Sequence, residues 1–203
     1  MTRCTDHGGW WHSYGDALPE WFEMYVGLES AVDHIRHYNA ELVPGLLQVE
    51  DYCRAVYRVS STKSYDEIDQ QVALRMDRQA LLVREEPAAP QFDVFLNEAV
   101  LRRPVGGRDV MVKQLARLLE STDLSNVDVR VLSFAQAEHA GMMGTFVVLG
   151  FPHRQEPDVV YLESPTGALY LEKPKELTST TSSCEICSNE HSTRCGRGPS
   201  SPP

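Results

Sequence analysis

The stretch Thr145–Glu163, TFVVLGFPHRQEPDVVYLE, decides the fold class that the sequence predicts. Two short apolar runs, at residues 145–151 and 158–163, flank the turn-rich segment PHRQEP. Short runs rich in β-branched and aromatic residues on either side of such a segment are typical of paired strands. The stretch therefore predicts two adjacent antiparallel strands.

The sequence on either side of this pair continues the same pattern. A strand is predicted from about Phe92 in QFDVFLNEAVL, and ALYLE forms another after the turn PTG at 165–167. In NVDVRVL, residues 126–132, every second residue is valine, as in a half-buried strand. After Gly106 and Gly107, a helix is predicted whose apolar face consists of Met111, Leu115, Leu118 and Leu119.

The first half of the chain is predicted to be helical on either side of one extended run. A helix begins near Glu20, and another begins at Glu50 after the extended residues 34–48. Ser64 and Glu67 have the spacing of a capping box, which predicts the start of a third helix. Apolar residues then recur every three or four positions up to Pro87. They are Ile68, Val72, Met76, Ala80 and Val83. Together these patterns predict an α+β fold, with N-terminal helices packed on an antiparallel β-meander.

Composition limits the classes of function. The 203 residues are 42% hydrophobic and carry a net charge of −10, which fits a globular protein whose surface repels phosphate backbones. Direct nucleic-acid binding by this chain alone is therefore not expected. The apolar runs are too short to cross a membrane and no signal pattern is present, so the predicted location is cytoplasmic.

The composition divides the chain into three parts. Residues 1–17 are predicted to be an N-terminal joint, 18–177 an α+β domain, and 178–203 a disordered tail. In the last part eleven of 26 residues are Ser or Thr and Ile186 is the only large aliphatic residue, so it cannot bury enough surface to offset its ordering entropy. Trp10, Trp11 and Tyr14 near the joint admit two interpretations, an exposed partner surface or a joint packed against the domain.

The tail also contains the residues that look most like a metal site. Cys184, Cys187, His191 and Cys195 follow the order C-x2-C-x3-H-x3-C, which has the ligand types of a structural zinc knuckle. Its x3 spacings are tighter than usual and the glycines and aromatics of that module are missing. A zinc-binding interaction module is therefore an alternative hypothesis, and no zinc site is assigned.

Two other groups raise the question of chemistry. Asp33, His34 and His37 lie in an extended segment, which would put the two histidines on opposite faces and argues against a shared metal. Glu138 and His139 in AEHAGMMG are the one loop pair that would suit a small-molecule enzyme. Neither pattern identifies an enzyme, so the sequence predicts no catalytic, cofactor-binding or metal-binding residues.

Four stretches together resemble a known family. They are residues 21–56, LNEAVLRRPVGG at 96–107, residues 129–152, and DVVYLESPTGALYLE at 158–172. They are similar to the C-terminal domain of antitoxin-like actinomycete transcriptional regulators, such as those of Streptomyces-like bacteria. Members of that family join this domain to an N-terminal Xre-type helix-turn-helix and are commonly encoded beside a small partner protein.

The resemblance implies a non-enzymatic regulatory domain that acts by protein-partner binding, dimerisation or effector sensing. It further implies a role in differentiation or secondary metabolism. A protein partner or homodimer is expected, a small-molecule effector is possible in principle, and the resemblance supplies no catalytic or metal residues.

The sequence departs from the family pattern at both ends. Only nine residues precede Trp10, so the helix-turn-helix is missing from this chain. After YLE the family continues with an amphipathic helix, whereas this chain has the Ser/Thr/Cys segment. A GC-rich back-translation of residues 177–202, read one nucleotide out of register, permits such a helix. We therefore hypothesise that the segment is a frameshifted form of the ordinary terminal helix.

Overall fold

The computed structural model describes residues 20–59, 63–136, 138–152, 157–164, 166–173, 175, 177 and 192–195. The described residues contain five α-helices and seven strands. The helices are α1 (Glu20–Ala31), α2 (Glu50–Arg58), α3 (Tyr65–Arg78), α4 (Glu98–Arg102) and α5 (Arg108–Ser121). The strands are β1 (His34–Asn39), β2 (Gln91–Asn97), β3 (Val127–Leu132), β4 (Phe146–Gly150), β5 (Val159–Ser164), β6 (Gly167–Leu171) and β7 (Ser192–Arg194).

The seven strands form one sheet in the order β6-β5-β4-β1-β2-β3-β7. The predicted α+β class is confirmed, and β4, β5 and β6 form the predicted antiparallel meander. The sheet as a whole is mixed, because β1, β2 and β3 run parallel to one another. Helices α2 and α3 connect β1 to β2, and α4 and α5 connect β2 to β3, so each crossover returns the chain to the same end of the sheet.

The two faces of the sheet are covered differently. One face packs against the helices through a continuous core that includes Ile35, Val94, Val129 and Leu149. The opposite face carries a smaller cluster around Tyr38. The other buried members of that cluster are Phe95, Leu132, Phe146, Val148 and Val160. The sheet therefore has one helix-covered face and a second face where apolar residues lie beside ion pairs such as His34–Asp93.

Helix α3 begins as predicted and ends earlier than predicted. The capping box is present, since the Ser64 side chain accepts from the Glu67 N–H and the Glu67 carboxylate accepts from the Ser64 N–H at 2.6 Å. The helix ends at Arg78 and a 3₁₀ turn follows, so Ala80 and Val83 are exposed instead of continuing the buried stripe. The turn is held by the Gln79 amide, which donates to the Gln48 carbonyl at 2.6 Å.

Only half of the residues in the predicted apolar face of α5 are buried. Met111 and Leu118 are buried, whereas Leu119 is 53% exposed and Leu115 is exposed as well. The fully buried Gln114 packs inward in their place, where its amide donates to the Leu47 carbonyl and its Oε1 accepts from the Val49 N–H. A polar residue lies in the core here because the bend before α2 leaves backbone groups that need partners.

The predicted outer segments fall mostly outside the described residues. That is true of all of 1–17, with its Trp10, Trp11 and Tyr14. In the C-terminal segment 178–203, Ser192–Arg194 pair antiparallel with β3, and Arg194 forms an ion pair with Asp128 at 3.0 Å. Among the described residues, no helix has the length and apolarity needed to cross a membrane.

Candidate functional site

A cleft lies where the three parallel strands end. Because β1, β2 and β3 are parallel, their carboxyl ends share one edge of the sheet. The chain leaving β3 must pass over β2 and β1 to enter β4, so residues 133–145 cross that edge. Ligands of sheets with parallel strands bind preferentially in crevices at such an edge.

The cleft has a volume of about 310 Å³, which is within the range of small-molecule sites. Three segments supply its walls: the residues after β1, the β2–α4 junction, and the crossing segment after β3. The lining residues are Tyr38, Ala40, Glu41, Asn97, Ala99, Ser133, Phe134, Gln136, His139, Gly141 and Met142.

The Tyr38 ring is the fixed base of the cleft. It is only 1% exposed, and the rings of Phe146 and His139 lie against it with centroid separations of 5.6 and 5.8 Å. Gly141 packs directly on this ring, so that a Cβ added to Gly141 would lie 2.5 Å from the Tyr38 Cζ. The absence of a side chain at Gly141 thus lets the crossing segment approach the sheet closely.

Substituting Gly141 with alanine is expected to lower the free energy of unfolding by about 1–3 kcal/mol, because the buried Tyr38 ring must shift to make room for a methyl group. Urea denaturation of the purified chain measures the effect. The control is Gly45→Ala, whose added Cβ would meet only the flexible Arg75 side chain at 3.4 Å. A double-mutant cycle with Tyr38→Leu should shrink the cost of Gly141→Ala, and an unchanged cost would contradict the steric explanation.

Glu98, at the start of α4, links the end of β2 to the segment that follows β3. Its Oε2 accepts from the Phe134 N–H at 2.8 Å and from the Ser133 hydroxyl at 2.9 Å. Its other oxygen accepts from Arg102 at 2.6 Å. The Phe134 N–H, together with Arg102 and Ser133, holds the pKa of Glu98 below its ordinary value. Glu98 therefore remains ionised and fixes the start of the crossing segment.

The Asn97 side chain is also committed to local structure, because its Oδ1 accepts from the Ala99 N–H and caps α4. The Ser133 hydroxyl is likewise fixed, since it donates to Glu98 and accepts from the Ala135 N–H at 3.2 Å. These side chains shape the cleft while their main hydrogen bonds stay within the protein.

Two lining groups have unused hydrogen-bonding capacity. Gln136 Oε1 and His139 Nδ1 are buried, and neither has a hydrogen-bond partner among the described residues. At the mouth, Phe134 is 58% and Met142 is 64% exposed. Buried polar atoms are normally paired, so this combination of unpaired polar atoms and accessible apolar surface suits ligand binding.

The structure does not bring together the two groups of residues that the sequence suggested as candidates for chemistry. His139 lies in the cleft, whereas Glu138 is exposed and does not line it. His34 contacts Asp93 at 2.8 Å, and His37 points to the opposite face of β1, as its spacing predicted. The chain thus brings neither pair together as an acid–base or metal site.

Three of the four residues of the alternative zinc site lie outside the described residues: Cys184, Cys187 and His191. The fourth, Cys195, is described. The Cys195 side chain is half-buried against the helix-side core, and burial raises the pKa of its thiol. In the described part of the chain, no group of three or more His, Cys, Asp or Glu side chains is placed to hold a metal ion.

Sequence reasoning missed most of the cleft. Tyr38, Asn97 and Ser133 each lie at or just beyond the end of a strand, which is a signal only if those strands are parallel. An antiparallel arrangement would have put the ends of neighbouring strands at opposite edges. The parallel pairing of β1, β2 and β3 was therefore the missing information.

A family model described as "Domain of unknown function (DUF5753)" matches residues 22–186. The chain belongs to the DUF5753 family. The matched range contains every residue that lines the cleft and extends past the predicted domain limit at residue 177. No curated protein and no solved structure matches this DUF5753 chain.

Proposed function

We propose that this DUF5753 chain is the non-enzymatic regulatory domain of a transcriptional regulator, and that the strand-end cleft senses a small-molecule effector. One observation carries the proposal. Three of the four stretches that resemble the actinomycete regulators supply all the residues that line the cleft. Segments far apart in sequence thus meet around one space of ligand size.

The chemistry of the lining supports binding over catalysis. Ser133 is the one lining hydroxyl group besides Tyr38, and its hydrogen bonds go to Glu98 and to a backbone N–H. His139 contacts the Tyr38 ring and lies beside no lining carboxylate in the manner of an oriented base. The unpaired atoms of Gln136 and His139 would instead hold and orient a ligand.

The charge of the chain supports an indirect action on DNA. A net charge of −10 disfavours contact with phosphates, so the regulatory effect would pass through a DNA-binding partner, a DNA-binding module or an intact relative. A protein partner or homodimer in the cytoplasm is the setting that we propose. Binding of the effector would change the affinity of this contact, in the way that a ligand shifts an equilibrium between two states.

Blocking the cleft tests the sensing role. Ala99 lines the cleft, so Ala99→Phe should fill part of it, and Ala73→Phe on the exposed side of α3 is the matched control. Transcripts would be compared between a strain that lacks the chain and strains complemented with wild type or either variant. We expect a defined set of transcripts to change on deletion, to recover with wild type and Ala73→Phe, and to stay unregulated with Ala99→Phe.

Two results would count against the proposal. If deletion leaves all transcripts unchanged, the regulatory role is wrong. If Ala99→Phe accumulates to the wild-type level and restores every transcript, regulation does not depend on the cleft.

A further inference from the structure

We propose that the cleft selects a neutral, flat small molecule that carries amide or ring N–H groups, and that it rejects carboxylates and phosphates. The inference rests on the sensing role proposed above and specifies the chemical class of the effector. The charge of the lining, its unpaired polar atoms and its aromatic surface each support this selection.

The charges of the lining disfavour an anion. Among the described residues that line the cleft there is no Lys or Arg, and Glu41 is the one carboxylate. Two guanidinium groups that contact lining residues are already paired, Arg103 with Glu41 and Arg102, beside Phe134, with Glu98. An incoming carboxylate would thus lose water without a free cation among the described lining residues to compensate it, which is unfavourable.

The unpaired polar atoms define what the ligand must offer. Gln136 Oε1 is a buried carbonyl oxygen that can only accept, so a rotation of this lining side chain that turns the oxygen into the cleft would let it accept from a ligand N–H. His139 Nδ1 can donate to a ligand carbonyl or accept from a second N–H, depending on its tautomer. A primary amide, or a ring that carries N–H beside C=O, offers both functions within a few ångströms.

The apolar surface favours a flat ligand. The half-exposed Phe134 ring and the Met142 side chain border the same space as the edge of the buried Tyr38 ring. Aromatic faces and thioethers both make favourable contacts with planar rings. A volume of about 310 Å³ suits a one- or two-ring molecule rather than a long chain.

Two matched ligand pairs test the class: nicotinamide against nicotinate, and uracil against orotate. Within each pair the second ligand keeps the ring and carries a carboxylate. The readout is the methyl signals of protein labelled with ¹³C-methyl methionine. Met142 reports the cleft, Met24 and Met76 lie outside it, and Met111 in the core reports folding. We expect at least one neutral ligand to shift the Met142 signal with a Kd of about 10 mM or tighter, the value set by ordinary ligand efficiency for molecules of this size.

The corresponding acids should bind at least about tenfold more weakly, since their carboxylate loses water in the cleft without a free cation to pair with. Gln136→Leu should weaken binding of the neutral ligand by about tenfold, because the acceptor for its N–H is lost. Gln70→Leu, on the exposed surface of α3, should leave binding unchanged. An unshifted Met111 signal shows that Gln136→Leu still folds.

The ligand class is overturned if neither neutral ligand shifts Met142 selectively, if an acid binds as tightly as its neutral partner, or if Gln136→Leu has no effect. The binding measurements test the ligand class, whereas the transcript comparison tests the sensing role, so the two can fail independently. If Ala99→Phe abolishes transcript regulation while the acids bind better, the role stands and the class is wrong. If a neutral ligand binds selectively but no transcript responds, the ligand class is supported and the proposed regulatory role is wrong.

Discussion

Replacing Arg78 with methionine is expected to lower the free energy of unfolding by about 3–5 kcal/mol. The Arg78 guanidinium donates to both oxygens of Glu29, at 2.9 and 2.8 Å. Both residues are almost fully buried, so removing one partner would leave an uncompensated charge in the core.

The surroundings of Arg78 strengthen this expectation. Its guanidinium lies 5.1 Å from the centroid of the Phe22 ring and 5.4 Å from that of Tyr25, an arrangement that favours the cation. Burial by itself would lower the pKa of Arg78, but the charge and hydrogen bonds of Glu29, with smaller contributions from Tyr25 and Tyr57, hold that pKa above its ordinary value. Burial and the same carboxylate raise the pKa of Tyr25 well above its usual range. Arg78 therefore stays charged and joins the end of α3 to α1.

Urea denaturation of wild type, Arg78→Met and two comparison variants measures the effect. Arg54→Met removes a partly exposed arginine that contacts Glu50 and Asp69, and it should cost much less stability than Arg78→Met because solvent screens this pair. The double variant Glu29→Met/Arg78→Met should recover much of the lost stability, because no charge is then left unpaired. A loss for Arg78→Met no larger than that for Arg54→Met would contradict the buried-pair interpretation.

The second large effect concerns acid stability and His37. This side chain lies on the helix-covered face of β1, between Val94 of β2 and Val147 of β4. Burial, with a smaller contribution from the Arg78 charge, lowers the pKa of His37 to about 3. The charged group that acts on His37 is Arg78, which is paired with Glu29.

The sign of the effect follows from linkage. The folded chain keeps His37 neutral down to about pH 3, whereas the unfolded chain binds a proton near pH 6.5. The contribution of neutral His37 to stability is therefore complete above pH 6.5 and is lost as the pH falls toward 3. The slope approaches 1.4 kcal/mol per pH unit, so about 2–3 kcal/mol should be lost between pH 6.5 and 4.5.

Unfolding free energies of wild type and His37→Asn, measured in urea from pH 7.5 to 4.5, check this prediction. The variant lacks the titrating group, so its stability should fall by about 2–3 kcal/mol less than that of wild type over the acid range. Since all other ionisable groups are shared, the difference between the two pH profiles isolates His37. Parallel profiles would show that His37 titrates alike in the folded and unfolded chains.

Local patterns in the sequence were sufficient where the physical cause is local. The Ser64–Glu67 capping box and the strands at 146–150 and 159–164 follow from neighbouring residues, and the structure confirms them. The exposed Val83 and Leu119 and the buried Gln114 show where this reasoning failed. Whether a side chain on a helix is buried depends on which other elements cover that side, and spacing along the helix carries no such information.

The candidate site depended even more on tertiary structure. His139 attracted attention in the sequence as half of an acid–base pair with Glu138, but the structure places it against Tyr38 in the lining of the strand-end cleft. Gln136 gave no sequence signal at all, because an unpaired amide oxygen is recognisable only when its surroundings are known.

The sequence by itself determined the α+β class, the positions of most strands and helices and the acidic character of the chain. Only the tertiary structure decided that β1, β2 and β3 run parallel, which brings their carboxyl ends, and with them Tyr38, Asn97 and Ser133, to one edge. The physical reason is that strand formation depends on local side-chain patterns, whereas strand direction depends on how the crossover helices pack on the sheet.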